Sequence, residues 1–287
     1  MTDNSKARPN AGQGVKVLAA GAVLMLFLGI IYVWSVFVKP VSEAMNGWDI
    51  AEVKLTASFM LSCFATAILI GGKLFMRYGA RKVVLAGGLM MATGMLVSSF
   101  VSPGAAWLIY ITYGAVSGFG SGLAYSTILS AAQKWFPHKR GLATGIIVGA
   151  FGFSTVIFAP LVEYLIAAFG VSASFRILAA VFCAATLLLF RLITLPPEPA
   201  APPPDASPDP AAQRQYAPSE ILRTSSFYMI TVSLMFGTAA YFILNPSFVT
   251  LANERGAASV ATMIVMMTGI ANAIGRLTVP LFSDKFG

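Results

Sequence analysis

The sequence predicts an all-α membrane protein built from a repeated helical unit, on three observations. The composition is 57% hydrophobic and only 10% charged, with a mean hydropathy of +0.78, too little polar surface to cover a soluble globule. Apolar runs of about 20 residues, the length of helix needed to cross a hydrocarbon core of roughly 30 Å, recur along the chain. Finally, a polar, basic, glycine-bearing turn follows a long apolar run twice, as GGKLFMRYGARK at 71–82 and as PLFSDKFG at 280–287. The spacing that lays Gly79 on Gly287 also lays Gly29 on Gly237 and brings Tyr32 within one position of Tyr241. The chain therefore reads as an internal repeat whose second copy is cut short.

Eight runs are long enough to span: 17–38, 55–75, 83–101, 107–129, 142–167, 174–195, 227–251 and 259–282. Backbone groups in lipid must be satisfied within a segment, which leaves helices or a closed barrel. A barrel would show many alternating segments of about ten residues, and none is present. The first run is longer than the apolar core of a signal peptide and lacks a small-residue cleavage pattern, so it is expected to remain as span one. Glycines at 114, 118, 120 and 122 in span four and at 141, 145, 149 and 152 in span five form small-residue faces suited to close helix packing.

Charge sets the orientation. With the N-terminus cytoplasmic, only Lys39, Lys54, Arg176 and Arg255 fall outside, Arg276 falls within a span, and every other Lys and Arg lies inside. That asymmetry places the N-terminus in the cytoplasm of a cell membrane. It also accounts for the net charge of +8 through anionic lipid rather than nucleic acid.

Residues 196–218 hold nine of the chain's 16 prolines, interleaved with alanine and acidic residues, and read as an extended linker. The expected organisation is a six-helix bundle at 1–195 with a cytoplasmic tail at 1–16, a Pro/Ala-rich cytoplasmic linker at 196–225, and the first two helices of an incomplete second bundle at 226–287. Cys63 and Cys183 lie inside spans as small apolar residues. No metal pattern, P-loop, nucleophile elbow or catalytic constellation appears, and no cofactor is expected. The one histidine, His138, reads as a solvated loop residue. An enzyme is not expected.

Six spans, a long linker, and a glycine-basic turn after span two that recurs after span eight resemble the major facilitator superfamily. Gly72, Leu74, Arg77, Gly79, Arg81 and Lys82 match its usual turn, G-x-L-x-D-R-x-G-R-R, while Met76 stands where the acid is expected. The second copy keeps its acid as Asp284, beside Lys285. The resemblance implies a twelve-helix fold, of which eight helices are present. It also implies that Gly72, Arg77, Gly79, Arg81, Lys82, Asp284 and Lys285 act as a latch opening when the two halves rock. Plain topology residues are the competing reading.

Within the superfamily the chain is similar to the oxalate:formate exchangers and the monocarboxylate transporters. The carrying residues are YVWSVF at 32–37, the loop KWFPHKRGLATG at 134–145, and NAIGR at 272–276. An arginine within a span costs about 2.5 to 3.5 kcal/mol at the helix centre, so Arg276 marks an anion, a carboxylate partner or an interface. Snorkelling to the inner surface competes with that reading. Thr268, Asn272 and Arg276 recur every four residues on one helix face, a polar stripe suited to a water-filled cavity.

The resemblance implies that Arg276 binds substrate carboxylate, which its fork of N–H donors fits. In the oxalate-handling members a second cation comes from span eleven, beyond this chain. Tyr32, Trp34, Tyr125, Tyr241 and Asn245 are candidates to complete the cavity with Asn272. An interfacial aromatic belt is the alternative for Tyr32 and Trp34, and helix termination is the alternative for Asn245-Pro246. Span five partly resembles an antiporter signature through Gly145, Gly149 and Gly152, with Ala150 in place of the expected proline. Glu163, near the outer end of that span, is a candidate proton carrier or a plain interfacial carboxylate.

The expected function is exchange of small mono- or dicarboxylates, such as oxalate and formate, by alternating access. Proton-coupled monocarboxylate symport is the alternative. A membrane sensor or interaction module without transport is a reading from another class. The expected partners are the substrate and the bilayer; no oligomer is predicted.

Overall fold

The computed structural model describes residues 11–197 and 218–286. At 11, 218, 219, 240–242, 246, 258 and 283–286 it describes the backbone alone. Among the described residues the regular structure is entirely helical. Among the described residues, five helices are long and apolar enough to cross a membrane: Gly12–Ala44, Ile50–Tyr78, Ala80–Ser98, Arg140–Leu192 and Ala261–Phe282.

Span one is not uniform. Ala11–Leu28 is α-helical, Gly29–Val33 tightens to a 3-10 helix, and Trp34–Ala44 resumes the α form. Span two, Ile50–Tyr78, starts where the Asp49 carboxylate accepts from the backbone N–H of Ala51 at 2.6 Å, satisfying a donor that the first turn leaves open. It ends at Gly79, whose φ of +81° is a backbone conformation glycine adopts without a Cβ penalty. Span three, Ala80–Ser98, begins at once on the other side of that turn.

Span four opens as a π-helix over Tyr110–Ser117 and continues as an α-helix over Gly118–Trp135. Spans five and six run together as Arg140–Leu189, broken at Gly170 with φ of +76°. That break falls inside the short gap the sequence leaves between the two runs. Span eight is Ala261–Phe286.

The chain divides into two compact units. One holds Met1–Pro196 with Pro246–Gly287, and the other holds Pro197–Asn245.

In the first unit, glycines decide which helices meet. A Cβ on Gly118 would lie 3.0 Å from the Cα of Met60, and one on Gly114 would lie 3.1 Å from the Cβ of Phe59, so span four lies directly on span two. Gly87 of span three and Gly120 of span four each face the other's carbonyl oxygen at 2.5 Å from such a Cβ. The small face of span five meets span eight, with Gly145 against Leu277, Gly149 against Ala273, and Gly152 against Asn272 and Ala273. Gly269 of span eight returns the contact on Thr155. Close backbone approach of this kind supplies the dispersion contact that holds helices together where lipid is as apolar as the side chains.

In the second unit, the short helix Pro218–Ile221 precedes Ser225–Leu244. The latter exposes large apolar side chains such as Met229 and Phe236, the pattern of a helix surface made for lipid. It ends in the 3-10 turn Asn245–Ser247, at the Asn-Pro break. A further helix, Phe248–Glu254, follows in the first unit.

Candidate functional site

Arg276 lies on span eight, on the stripe it shares with Asn272 and Thr268. Its guanidinium donates through Nη2 to the hydroxyl of Tyr32 on span one at 3.0 Å. The same guanidinium carbon lies 5.9 Å from the ring centroid of Tyr32 and 5.9 Å from that of Phe151 on span five, within range of an attractive cation–π interaction. The Arg276 charge also acts on the Tyr125 hydroxyl of span four. The cation is thus held inside the bundle, its long side chain turned toward spans one and five.

The rings beneath Arg276 form one aromatic wall. Tyr32 meets Phe151 edge to face with centroids 5.2 Å apart. Tyr125 meets Phe151 at 5.0 Å, and Phe64 of span two meets Tyr125 at 5.3 Å and Phe151 at 5.9 Å. Edge-on pairs and an offset stack at these distances are the favoured aromatic geometries. Five helices contribute to the site: spans one, two, four, five and eight.

Asn272 lies one turn from Arg276. Its Oδ1 is buried against span five, 2.8 Å from where a Cβ on Gly152 would stand, and has no hydrogen-bond partner among the described residues. Ser154 Oγ, fully buried between spans five and one, is likewise unpartnered there. Thr268 is different, since its hydroxyl donates to the Val265 carbonyl at 2.7 Å and is satisfied within its own helix.

Trp34, grouped with Tyr32 in the sequence reading, sits in another cluster. It is fully buried, its Nε1–H donates to the Val53 carbonyl at 3.0 Å, and its ring stacks on Tyr113 at 4.7 Å and Phe37 at 5.8 Å. Phe37 in turn stacks on Phe175 at 4.9 Å. Positions two apart on a helix point to different sides, which separates the two aromatics. Tyr241 and Asn245 belong to the second unit. Asn245 is buried, and the side chain of Tyr241 lies outside the described residues.

Among the turn residues, Arg77 lies over the Tyr78 ring at 5.3 Å. Gly72 lies within Ile50–Tyr78, and a Cβ there would meet nothing within 4 Å. Gly79, Arg81 and Lys82 line a cavity at this end of the bundle. The side chains of Asp284 and Lys285 lie outside the described residues. Met76, in the acid's place, lies 4.0 Å through Sδ from the Nζ of Lys134, and that ammonium stands 4.7 Å over the Phe75 ring. The cation therefore rests on sulfur and an aromatic face. Glu163 accepts a hydrogen bond from the Thr262 hydroxyl at 2.5 Å, joining spans five and eight.

Phe64 and Phe151, the floor of the site, are absent from the sequence-based candidates. A phenylalanine in an apolar run carries no signal beyond hydrophobicity, and only the cation above it distinguishes it from core.

Comparison with known proteins gives the family. The chain is 26% identical over 271 residues to an uncharacterised MFS-type transporter, YhjX, of Escherichia coli (strain K12), covering 92% of this chain and 65% of the relative. It is 26% identical over 289 residues to the oxalate:formate antiporter of Oxalobacter formigenes, covering 97% and 67%. It is also 26% identical over 276 residues to monocarboxylate transporter 13 of Bos taurus, covering 94% and 61%. The chain thus spans about two thirds of the length of these relatives. Among solved structures, that of a D-xylose-proton symporter matches with a TM-score of 0.61 at 17% identity, covering 95% of this chain and 70% of the other; that likeness concerns the fold. The model of the Major Facilitator Superfamily matches residues 17–287. The chain is a multi-pass membrane protein that belongs to the Major Facilitator Superfamily.

Proposed function

We propose that the protein carries small organic anions across a cell membrane by alternating access, with Arg276 as the principal carboxylate ligand. The observation that carries the proposal is the Arg276 guanidinium held within the bundle by the Tyr32 hydroxyl at 3.0 Å and flanked by the rings of Tyr32 and Phe151. A fixed guanidinium matches a carboxylate with two parallel N–H donors. An aromatic floor presents a small planar anion to that fork and keeps water from competing. The names of two relatives, an oxalate:formate antiporter and a monocarboxylate transporter, point to the same class of substrate. The N-terminus is cytoplasmic in this reading, residues 1–195 form one bundle, and 226–287 begin a second.

Exchange of one carboxylate for another is the preferred driving mode. A coupled proton needs a titratable carrier, usually a carboxylate within the membrane. Gly145, Gly149 and Gly152 of span five, which partly match an antiporter signature, favour exchange. Glu163 supports the second reading, proton-coupled symport, because it lies in span five and contacts span eight through Thr262. Proteoliposomes of the full-length protein separate the two. Exchange requires uptake of labelled oxalate, formate, lactate or pyruvate only into vesicles preloaded with carboxylate. Uptake into empty vesicles under an inward pH gradient favours symport, and no uptake under either condition overturns the carrier reading.

A further inference from the structure

At the end of the bundle where span two turns into span three there is a cavity of about 490 Å³. Three separate stretches line it: Gln13 at the start of span one, Tyr78, Gly79, Arg81 and Lys82 at the turn, and Thr194 with Leu195 after span six. The walls are tied together around Thr194. Its hydroxyl accepts from Gln13 Nε2 at 3.3 Å, and its carbonyl accepts from Trp135 Nε1 at 2.7 Å.

The chemistry of the lining is one-sided. Arg81 and Lys82 supply two positive charges, Gln13, Tyr78 and Thr194 supply neutral polar groups, and among the described residues that line it none is acidic. A cation needed only for topology requires no shared cavity, yet these two stand on one wall of a recess. Leu195 and the ring of Tyr78 give the recess an apolar flank, and both are substantially exposed. A volume of this size exceeds what a lone oxyanion fills.

We propose that this recess binds the headgroup of an anionic phospholipid. The phosphodiester would meet Arg81 and Lys82, the glycerol would meet Gln13 and Thr194, and the acyl chains would leave along Leu195 and Tyr78. Basic recesses between membrane helices on the cytoplasmic side suit such headgroups, because the anionic lipids lie in that leaflet. The assignment uses the proposed orientation of the chain and is independent of what Arg276 binds.

The test is native mass spectrometry of the purified full-length protein with phosphatidylglycerol or phosphatidylethanolamine in matched micelles. Wild type is expected to retain one phosphatidylglycerol in preference to phosphatidylethanolamine. The double variant Arg81→Gln with Lys82→Gln is expected to retain it about tenfold less. Leu195→Glu leaves both cations in place and puts a negative charge into the recess, and it is expected to show the same loss. It decides the matter if the double variant does not fold. Lys54→Gln, remote from the recess, is expected to retain the lipid as wild type does. Equal retention of the two lipids, or full retention in Leu195→Glu, overturns the proposal. Displacement of the lipid by millimolar inorganic phosphate overturns it in favour of a free-anion site. Carboxylate uptake by the same preparation reports on the Arg276 reading separately.

Discussion

The Arg276 guanidinium donates to the Tyr32 hydroxyl at 3.0 Å, joining residues 244 positions apart on spans eight and one. The phenol is buried and fixes the direction of the cation. Tyr32→Phe keeps the ring beneath Arg276 and removes the acceptor. A hydrogen bond to a charged group is worth about 1.5 to 3 kcal/mol, so the half-saturation concentration for carboxylate should rise by about tenfold or more. Counterflow at varied substrate concentration measures it, and an unchanged value would remove Tyr32 from the site.

Gly269 lies so close to Thr155 that a Cβ there would overlap the Thr155 hydroxyl, with Thr155 Cβ at 3.0 Å and the Gly152 carbonyl oxygen at 3.2 Å. Gly269→Ala should therefore cost about 1 to 3 kcal/mol, the usual range for overpacking. Adding Thr155→Ala removes the overlapping hydroxyl and should recover much of that loss. Thermal unfolding of the two single variants and the double variant in detergent checks the coupling; additive effects would show that these helices do not meet at this point.

Trp34 packs on Tyr113 and Phe37 and donates to the Val53 carbonyl. Trp34→Phe retains an aromatic ring and removes the indole's hydrogen bond to that carbonyl, which keeps its donor within the helix, a loss of about 0.5 to 1.5 kcal/mol. Unfolding should occur at lower temperature while the apparent affinity for carboxylate stays as in wild type. A specific loss of affinity with unchanged stability would put Trp34 in the site.

Met76 stands 4.0 Å through its sulfur from the Lys134 ammonium. Met76→Asp should form an exposed ion pair worth at most about 1 kcal/mol. Any stabilisation should appear at low ionic strength and fade in high salt, where charges at the surface are screened. Melting curves at the two ionic strengths provide the check, and a salt-independent gain would need another cause.

Hydropathy alone made the helices legible, and the break between spans five and six was visible as the short gap between the runs 142–167 and 174–195, within which the structure puts Gly170. Arg276 was legible as a candidate too, since a cation in lipid needs a reason. Its partners were less so. Tyr32 and Trp34 look alike in sequence, but their spacing of two puts them on different sides of span one, one under Arg276 and one in the aromatic core. Phe64 and Phe151 are ordinary apolar residues until the fold sets Phe151 beside a guanidinium and Phe64 against Phe151. The glycine face of span five announced close packing, yet which helix it met depended on pairing between segments more than 100 positions apart, which periodicity does not encode. The 3-10 stretch Gly29–Val33 and the π-helix Tyr110–Ser117 also left no local signature, because both depend on neighbouring spans.

The central claim is that Arg276 binds the carboxylate, and its most direct test is counterflow of labelled carboxylate into preloaded proteoliposomes by wild type, Arg276→Lys and Arg276→Ala. The account predicts that Arg276→Ala abolishes exchange while the protein still folds and inserts, and that Arg276→Lys, which keeps the charge and loses the bidentate fork, retains a small fraction of it. Exchange by Arg276→Ala at the wild-type rate and affinity would contradict the account.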